Sequence, residues 1–239
     1  MNKKFRVIVA DPPWPFKDSL KMSDVKRGAL ANYSTMTMQQ IRELPVEKVC
    51  NPEGAVLCLW VPGSLLQEGL DTMKAWGFKH KQTYVWVKTK KQPLDFFKKA
   101  ILKARKQPEI VYDKFAYMRI IKSIAEACIP VGKDLLKTLA FGMGRLFRQT
   151  HEICLVGISN NQIYHQLENK SQRSVCFGEN LSHSSKPEAL QDSLEIMFPK
   201  ARKLELFARR IRPGWTCLGN EVCNGEDMQV SLSKLINGG

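Results

Sequence analysis

Short apolar runs rich in β-branched and aromatic residues alternate along this chain with longer segments whose apolar residues recur every three or four positions. The short runs predict seven strands, at Arg6–Ala10, Ala55–Val61, Gln82–Lys88, Glu152–Ile158, Val175–Glu179, Lys203–Phe207 and Thr216–Gly219. The longer segments predict helices at Thr37–Leu44, Ser64–Trp76 and Pro187–Met197, the last with a proline in its first turn. This alternation favours an α/β fold, a mainly parallel sheet flanked by helices.

Residues 90–141 depart from this alternation, because two long helix-like segments follow each other there without an intervening strand. We interpret the region as a helical insertion within a single domain that spans residues 1–239. Basic residues crowd it and its border: Lys88, Lys90, Lys91, Lys98, Lys99, Lys103, Arg105, Lys106, Lys114, Arg119 and Lys122. Two interpretations stay equally open, a surface that follows a phosphate backbone and a solvated helix face.

The charge balance indicates a polyanionic partner. The 239 residues include 37 Lys and Arg against 23 Asp and Glu, a formal net charge of +14. Nucleic acid suits such a surplus, because each neutralised phosphate releases condensed counterions. A membrane surface is the weaker alternative, since no amphipathic anchor or lipidation signal accompanies the charge.

Several classes of protein and site are disfavoured. The apolar run that starts at Val7 is too short for a signal peptide, and no run approaches the length of a membrane span, so we expect a cytoplasmic protein. The seven cysteines are scattered without a CxxC pair, which favours buried thiols over disulfides or zinc. The four histidines show no ligand spacing, and no metal is expected.

The sharpest local motif is Asp11-Pro12-Pro13-Trp14, directly after the first predicted strand. Open α/β sheets bind ligands beyond the carboxyl ends of their strands. Consecutive prolines restrict the backbone and remove amide donors, so the Asp11 carboxylate and the Pro12 carbonyl are left as acceptors. Two acceptors that grip the hydrogens of an adenine amino group would turn its lone pair towards an electrophilic methyl group, while Trp14 would stack on the base. The alternative is a tight turn with a capping aspartate and a core tryptophan.

Further motifs follow in order through nearly the whole chain. They are Tyr33-Ser34-Thr35-Met36, Leu59-Trp60-Val61, Val85-Trp86-Val87-Lys88-Thr89, the segment His151 to Gly157, Ser184-Ser185-Lys186-Pro187-Glu188, the segment Lys203 to Arg210, and the segment Gly214 to Glu221. With Asp11-Pro12-Pro13-Trp14, this series resembles the adenine-N6 methyltransferases of the MT-A type. That family is typified by the catalytic subunit of the eukaryotic mRNA adenosine methyltransferase and includes bacterial and phage DNA-methylating relatives.

The resemblance implies a role for each matched residue. The catalytic tetrapeptide is Asp11, Pro12, Pro13 and Trp14. The residues implied for the cofactor, S-adenosyl-L-methionine, are Ala10, Asp11, Lys186, Arg209, Asn220 and Glu221. The residues implied for the substrate are Tyr33, Lys88, Glu152 and Ser184. For several of them a plain structural role is the alternative; Arg209, for example, could pair with Glu205.

The resemblance also implies a topology and a reaction. Because the catalytic motif comes first and the cofactor-binding strands last, the expected fold is a circularly permuted Rossmann-like methyltransferase domain with a seven- or eight-stranded sheet. The chain departs from the eukaryotic type in having Ile211 and Arg212 where relatives have a polar pair. The compact chain leads us to expect a bacterial or phage source and methylation of DNA. The same reaction on RNA and a catalytically silent nucleic-acid-binding subunit are the alternatives, and family members often pair as homodimers or heterodimers.

Overall fold

The structure, a computed structural model, describes residues 4–15, 36–90, 136, 138–140, 142, 146–179, 186–222 and 226–238. The strands are β1 (Val7–Ala10), β2 (Val56–Val61), β3 (Lys79–Thr89), β4 (His151–Ile158), β5 (Val175–Glu179), β6 (Lys203–Leu206) and β7 (Trp215–Leu218). The α-helices are α1 (Met38–Arg42), α2 (Leu66–Ala75), α3 (Ala189–Met197) and α4 (Met228–Asn237). Short 3₁₀ helices cover Val46–Val49, Gly63–Leu65 and Asn161–Gln166.

The strands form one seven-stranded sheet in the order β5-β3-β4-β2-β1-β6-β7. Strand β1 runs parallel to β2 and β6, and β6 runs parallel to β7, whereas β4 is antiparallel to β2. The first strand in sequence therefore lies near the middle of the sheet, with the two last strands beside it. The predicted α/β fold with a mainly parallel sheet is confirmed.

The chain divides into two compact units. The first comprises Met1–Val85, Glu152–Cys176 and Glu188–Gly239, and the second comprises Trp86–His151 and Phe177–Pro187. The first unit holds the hydrophobic core, to which β1, β2 and β6 contribute alternate residues such as Ile8, Leu57 and Leu204. Met73 of α2 and Leu232 of α4 pack into the same cluster.

Strands β1 and β2 are buried along their whole length. Alternate residues of a strand point to opposite faces, so both faces of these strands are covered, as in parallel sheets flanked by helices. Helix α3 lies against the face opposite the main cluster, since its Gln191 reaches Glu205, which alternates with the cluster residues Leu204 and Leu206. This two-sided burial explains why the sequence shows continuous apolar runs there rather than alternation.

The strand predictions are confirmed, with ends that agree to within one residue except in β3. That strand begins at Lys79 rather than Gln82, and its first four residues are all exposed. Backbone pairing extends this strand through a polar stretch, which the pattern of hydrophobic residues does not identify as part of a strand.

Helix ends follow local capping chemistry. Thr37 and Gln40 form a reciprocal capping box at the start of α1. Helix α3 starts at Ala189, so the prediction that Pro187 lies in its first turn is wrong; Glu188 is the N-cap residue. Helix α4 was not predicted. Asp227 caps it by accepting from the amides of Gln229 and Val230.

Most of the predicted insertion, residues 91–135 with 137 and 141, lies outside the described residues. At its end, Leu139 forms an antiparallel bridge with Thr89. Five cysteines are described, and all five carry free thiols. Among the described helices, none combines the length and apolarity required to cross a bilayer.

The two-sided burial of β6 predicts a large cost for a cavity there. Leu204 is fully buried in the core cluster, and Leu204→Ala should lower the free energy of unfolding by about 2–5 kcal/mol. Leu66, which is 43% exposed, is the matched control. Leu66→Ala should change the free energy of unfolding by about 0.5 kcal/mol or less. Urea unfolding of both variants measures the difference, and equal effects would contradict the assigned core.

Candidate active site

The candidate site lies at the edge of the sheet where β1, β6 and β7 end together. Ala10 of β1 lies opposite Leu206 of β6, which in turn lies opposite Leu218 of β7. The next residues along each strand, Asp11, Phe207 and Gly219, therefore leave the sheet side by side. Neighbouring strands are about 4.8 Å apart, so β1 and β7 end roughly 10 Å from each other, a span that a small ligand can bridge.

The turn after β1 presents two acceptors. Asp11 is partly buried and Pro12 is buried. The Trp14 amide donates to the Pro12 carbonyl oxygen at 2.8 Å, and the Met36 amide donates to the Pro13 carbonyl oxygen at 3.3 Å. A carbonyl oxygen has two lone pairs, so the Pro12 oxygen retains capacity for a second donor. The internal bond was not foreseen from the sequence, and it fixes the direction in which that oxygen points.

Trp14 anchors the turn in the core. Its side chain is 4% exposed, belongs to the core cluster, and donates from Nε1 to the Trp60 carbonyl oxygen at 2.9 Å. Stacking on a base requires a free ring face, which this burial does not offer. This burial favours the alternative that the sequence had left open, a core tryptophan that holds Asp11 and Pro12 in place.

The loops after β6 and β7 bring together three residues that the resemblance implied for the cofactor. Arg209 Nε lies 3.9 Å from Glu221 Oε1, in a partly exposed ion pair. Asn220 is exposed beside Glu221. The sequence had left open a pairing of Arg209 with Glu205; the contacts show Arg209 beside Glu221, while Glu205 bonds Gln191.

Close packing shapes these two loops. Phe207 has a φ of 61°, a left-handed conformation that costs energy for an aromatic residue. The Ala208 amide then donates to the Leu218 carbonyl oxygen at 2.8 Å, and a Cβ on Gly219 would lie only 2.2 Å from the Ala208 oxygen. Only glycine fits at position 219, and the two loops leave the sheet in contact.

Sequence reasoning gave no site role to Glu205 and Gln191. Gln191 is 4% exposed, and its Nε2 donates to Glu205 Oε1 at 3.2 Å, while its Oε1 has no hydrogen-bond partner among the described residues. Burial is the main cause that raises the pKa of Glu205, and the nearby charge of Asp11 raises it further. The hydrogen bond from Gln191 acts in the opposite direction and lowers the pKa. The available signal was an acidic residue between the apolar residues Leu204 and Leu206 of β6.

The other predicted site residues are distributed between the two units. Ala10 is fully buried, with its side chain in the core cluster, so only its backbone is available to a ligand. Glu152 is partly buried near the start of β4 in the first unit. Lys88 and Lys186 belong to the second unit, where the Lys88 ammonium lies 5.1 Å from the centroid of the Trp86 ring. Tyr33 and Ser184 lie outside the described residues.

The donor set at this edge suits a zwitterionic ligand with hydroxyl groups. Arg209 offers a guanidinium, Asn220 an amide and Glu221 a carboxylate. These residues fit the ribose hydroxyls and the amino-acid end of S-adenosyl-L-methionine.

Comparison with known proteins agrees with this geometry. The sequence model of the MT-A70 family matches residues 5–112 and 118–221. The chain is 28% identical over 220 residues to the N(6)-adenosine-methyltransferase MT-A70-like protein of Arabidopsis thaliana, covering 91% of this chain and 24% of that protein. It is 27% identical to the N(6)-adenosine-methyltransferase catalytic subunit METTL3 of Homo sapiens, covering 92% and 28%, and 26% identical to the human N(6)-adenine-specific methyltransferase METTL4, covering 92% and 38%. The chain spans about a quarter of the length of the first of these relatives.

The anchoring role of Trp14 makes a prediction about stability. Trp14→Phe keeps an aromatic ring but loses the buried bond to the Trp60 carbonyl, which should cost about 1–3 kcal/mol in the free energy of unfolding. Tyr164→Phe, on a ring that is 50% exposed, is the control and should leave stability unchanged. Unaltered stability in the Trp14 variant would favour a stacking role instead.

The raised pKa of Glu205 predicts that the stability of the fold depends on pH. Because its pKa is raised in the folded chain, the folded state retains a proton that the unfolded state releases, and stability falls as the pH rises from about 4.3 through the raised value. Glu205→Gln removes this dependence, so the variant should gain stability relative to wild type between pH 4 and pH 7 in denaturant titrations.

Glu195 provides a control of opposite sign for the same measurement. A hydrogen bond from Arg212 is the main cause that lowers the pKa of Glu195. The stability that this carboxylate contributes is therefore present above the ordinary glutamate pKa and lost as the pH falls through the lowered value. The free energy of unfolding of wild type should therefore rise relative to that of Glu195→Gln as the pH rises. The same pH dependence in Glu205→Gln and Glu195→Gln would contradict the assignment.

Proposed function

Because this chain belongs to the MT-A70 family, we propose that it transfers a methyl group from S-adenosyl-L-methionine to the N6 amino group of adenine in a nucleic acid. The observation that carries the proposal is the shared edge of β1, β6 and β7. Asp11 and Pro12 leave the sheet beside the loops that carry Arg209, Asn220 and Glu221. Acceptors for an amine and donors for a zwitterionic cofactor are thus within one ligand's reach.

The acceptors suit the chemistry of an exocyclic amine. The adenine amino nitrogen is a weak nucleophile because its lone pair is delocalised into the ring. The Asp11 carboxylate and the Pro12 carbonyl oxygen would each accept one of its two hydrogens, which turns the lone pair out of the ring plane. One proton leaves the nitrogen as its new bond to carbon forms, and the Asp11 carboxylate is placed to receive it.

The two acceptors would lower the reaction barrier because they are held in place before the substrate binds. The bond from the Trp14 amide to the Pro12 carbonyl and the bond from the Trp14 indole to Trp60 hold the turn before any ligand binds. Fixed dipoles of this kind lower a barrier without reorganisation during the reaction. When bound, the cofactor supplies an electrophilic methyl group, and Arg209, Asn220 and Glu221 would hold its polar ends.

Two polymers are candidates for the substrate. DNA is the expectation from the sequence, and the net charge of +14 suits either polyanion. RNA is the second candidate, because the names of the Arabidopsis relative and of human METTL3 refer to adenosine, whereas that of human METTL4 refers to adenine. In duplex DNA the amino group is paired, so the base would have to be flipped out or offered in a single strand.

Transfer of tritium from labelled S-adenosyl-L-methionine to DNA, to RNA or to neither tests the proposal. We expect label in adenine N6 with the wild-type chain, and loss of activity by about a hundredfold or more in Asp11→Ala, since that variant removes an acceptor and its charge. S-adenosyl-L-homocysteine should still bind to the variant within a few-fold of wild type. Asp71→Ala, which removes an exposed carboxylate on α2, is the matched control.

Three results would decide between the alternatives. Label in DNA alone supports the DNA substrate, and label in RNA alone supports the second candidate. No transfer to either polymer, with nucleic-acid binding retained, supports a catalytically silent binding subunit. Full transfer by the Asp11 variant would refute the role of that carboxylate.

A further inference from the structure

Arg212 is the most extensively paired side chain of the β6–β7 loop, residues 207–214. Its Nε donates to Glu195 Oε1 at 2.7 Å, its Nη1 to Glu188 Oε2 at 2.9 Å and its Nη2 to Asp192 Oδ1 at 2.5 Å. All three guanidinium nitrogens are used, and the side chain is only 13% exposed. An arginine whose three guanidinium nitrogens each donate to a carboxylate is held in one geometry.

The three carboxylates belong to one face of α3 and its N-cap. Glu188, Asp192 and Glu195 are spaced by four and three residues, the spacing that aligns side chains along a helix. The indole Nε1 of Trp215, at the start of β7, also donates to Glu195 Oε1, at 2.7 Å. The helix is thereby bonded both to the β6–β7 loop and to the strand that follows it.

Electrostatics make Arg212 the centre of this group. Three neighbouring carboxylates on one helix face repel each other without a cation between them. The hydrogen bond from Arg212 is the main cause that lowers the pKa of Glu195, and the bond to Glu195 is the main cause that raises the pKa of Arg212. Arg210 adds one contact to this group, to Glu188 Oε1 at 2.8 Å, from a half-exposed position.

Beyond its first two residues, the β6–β7 loop is attached by Arg209, which contacts Glu221, by Arg210, which contacts Glu188, and above all by Arg212. Ile211 is 75% exposed, and a Cβ added to Gly214 would meet no atom within 4 Å. Arg212 also contributes backbone contacts, since its carbonyl oxygen accepts from the Trp215 amide at 3.1 Å and its amide donates to Cys217 Sγ at 3.4 Å. Arg212 is therefore the residue of this loop with the most bonds to α3.

We propose that Arg212 is a positioning residue for the cofactor: by bonding Glu188, Asp192 and Glu195 it fixes the loop that carries Arg209. The inference rests on the proposed function. Arg209 is three residues before Arg212, and Glu188, at the other end of the contacts, is two residues after Lys186. Lys186 and Arg209, which the family resemblance implies for the cofactor, are thus each close in sequence to a member of this group. Arg212 itself stands where relatives of the eukaryotic type have a polar pair.

The test measures cofactor affinity separately from turnover. In Arg212→Ala we expect the Kd for S-adenosyl-L-homocysteine, from calorimetry on the whole chain, to rise by about tenfold or more. The KM for S-adenosyl-L-methionine should rise in parallel, while kcat at saturating cofactor stays within about twofold, because the acceptors at Asp11 and Pro12 are untouched. Arg42→Ala, which removes an arginine contact to Asp71 between α1 and α2, is the matched control and should leave Kd and KM unchanged.

Two milder variants keep the test decisive if Arg212→Ala does not fold. Arg212→Lys retains the charge but not the three-way geometry, and Glu195→Gln retains an acceptor for Trp215 but not the charge. Each should raise the Kd by a smaller factor than Arg212→Ala would. Unchanged Kd and KM in both, measured well below the melting temperature, would assign Arg212 a purely structural role and overturn the inference.

The inference and the proposed function fail in different ways. A wild-type chain that binds S-adenosyl-L-homocysteine, with Arg212 variants that bind it equally well, overturns the inference alone. A wild-type chain that binds no S-adenosyl-L-homocysteine and transfers no methyl group overturns the proposed function and the inference together. A fall in kcat with an unchanged Kd would also overturn positioning of the cofactor.

Discussion

The candidate site depends on how rigidly β1 is held before it ends. The strand lies between two parallel neighbours, β2 and β6, and every one of its residues is buried. Two prolines follow Asp11, and the indole of Trp14 is bonded to β2 through the Trp60 carbonyl. A short chain segment fixed at both ends has few conformations to lose when a ligand binds, so its two acceptors point in a set direction.

Charge is distributed unevenly around this edge of the sheet. Asp11 and Glu205 are close enough for the first to raise the pKa of the second, while Arg209 pairs with Glu221 in the adjoining loops. On α3 and its N-cap, three carboxylates contact the guanidinium of Arg212, and Arg210 adds a contact to one of them. The site thus combines an acidic pair beside β1 with a group of ion pairs that holds the loop, a division that suits binding an amine on one side and a zwitterion on the other.

Strands were easier to predict than the roles of site residues. Continuous apolar runs such as Val56–Val61 mark strands buried on both faces, and all seven predicted strands are present in the sheet. Helix α4 was missed although Met228, Leu232 and Leu235 recur at helical spacing and Asp227 precedes them as an N-cap. Trp14 was assigned to the base because its motif implies an aromatic contact, yet distant residues bury the ring.

The sequence by itself determined the order of the strands along the chain, the acceptors that follow β1 and the family to which the motifs belong, because these depend on local residue type and spacing. Only the tertiary structure decided the register that aligns the ends of β1, β6 and β7, that Gln191 reaches Glu205, and that Arg212 bonds a face of α3. Such contacts join residues far apart in sequence, and they depend on strand register and helix placement. A local pattern does not specify strand register or helix placement, because both are set when the elements pack together and cover the two faces of the sheet.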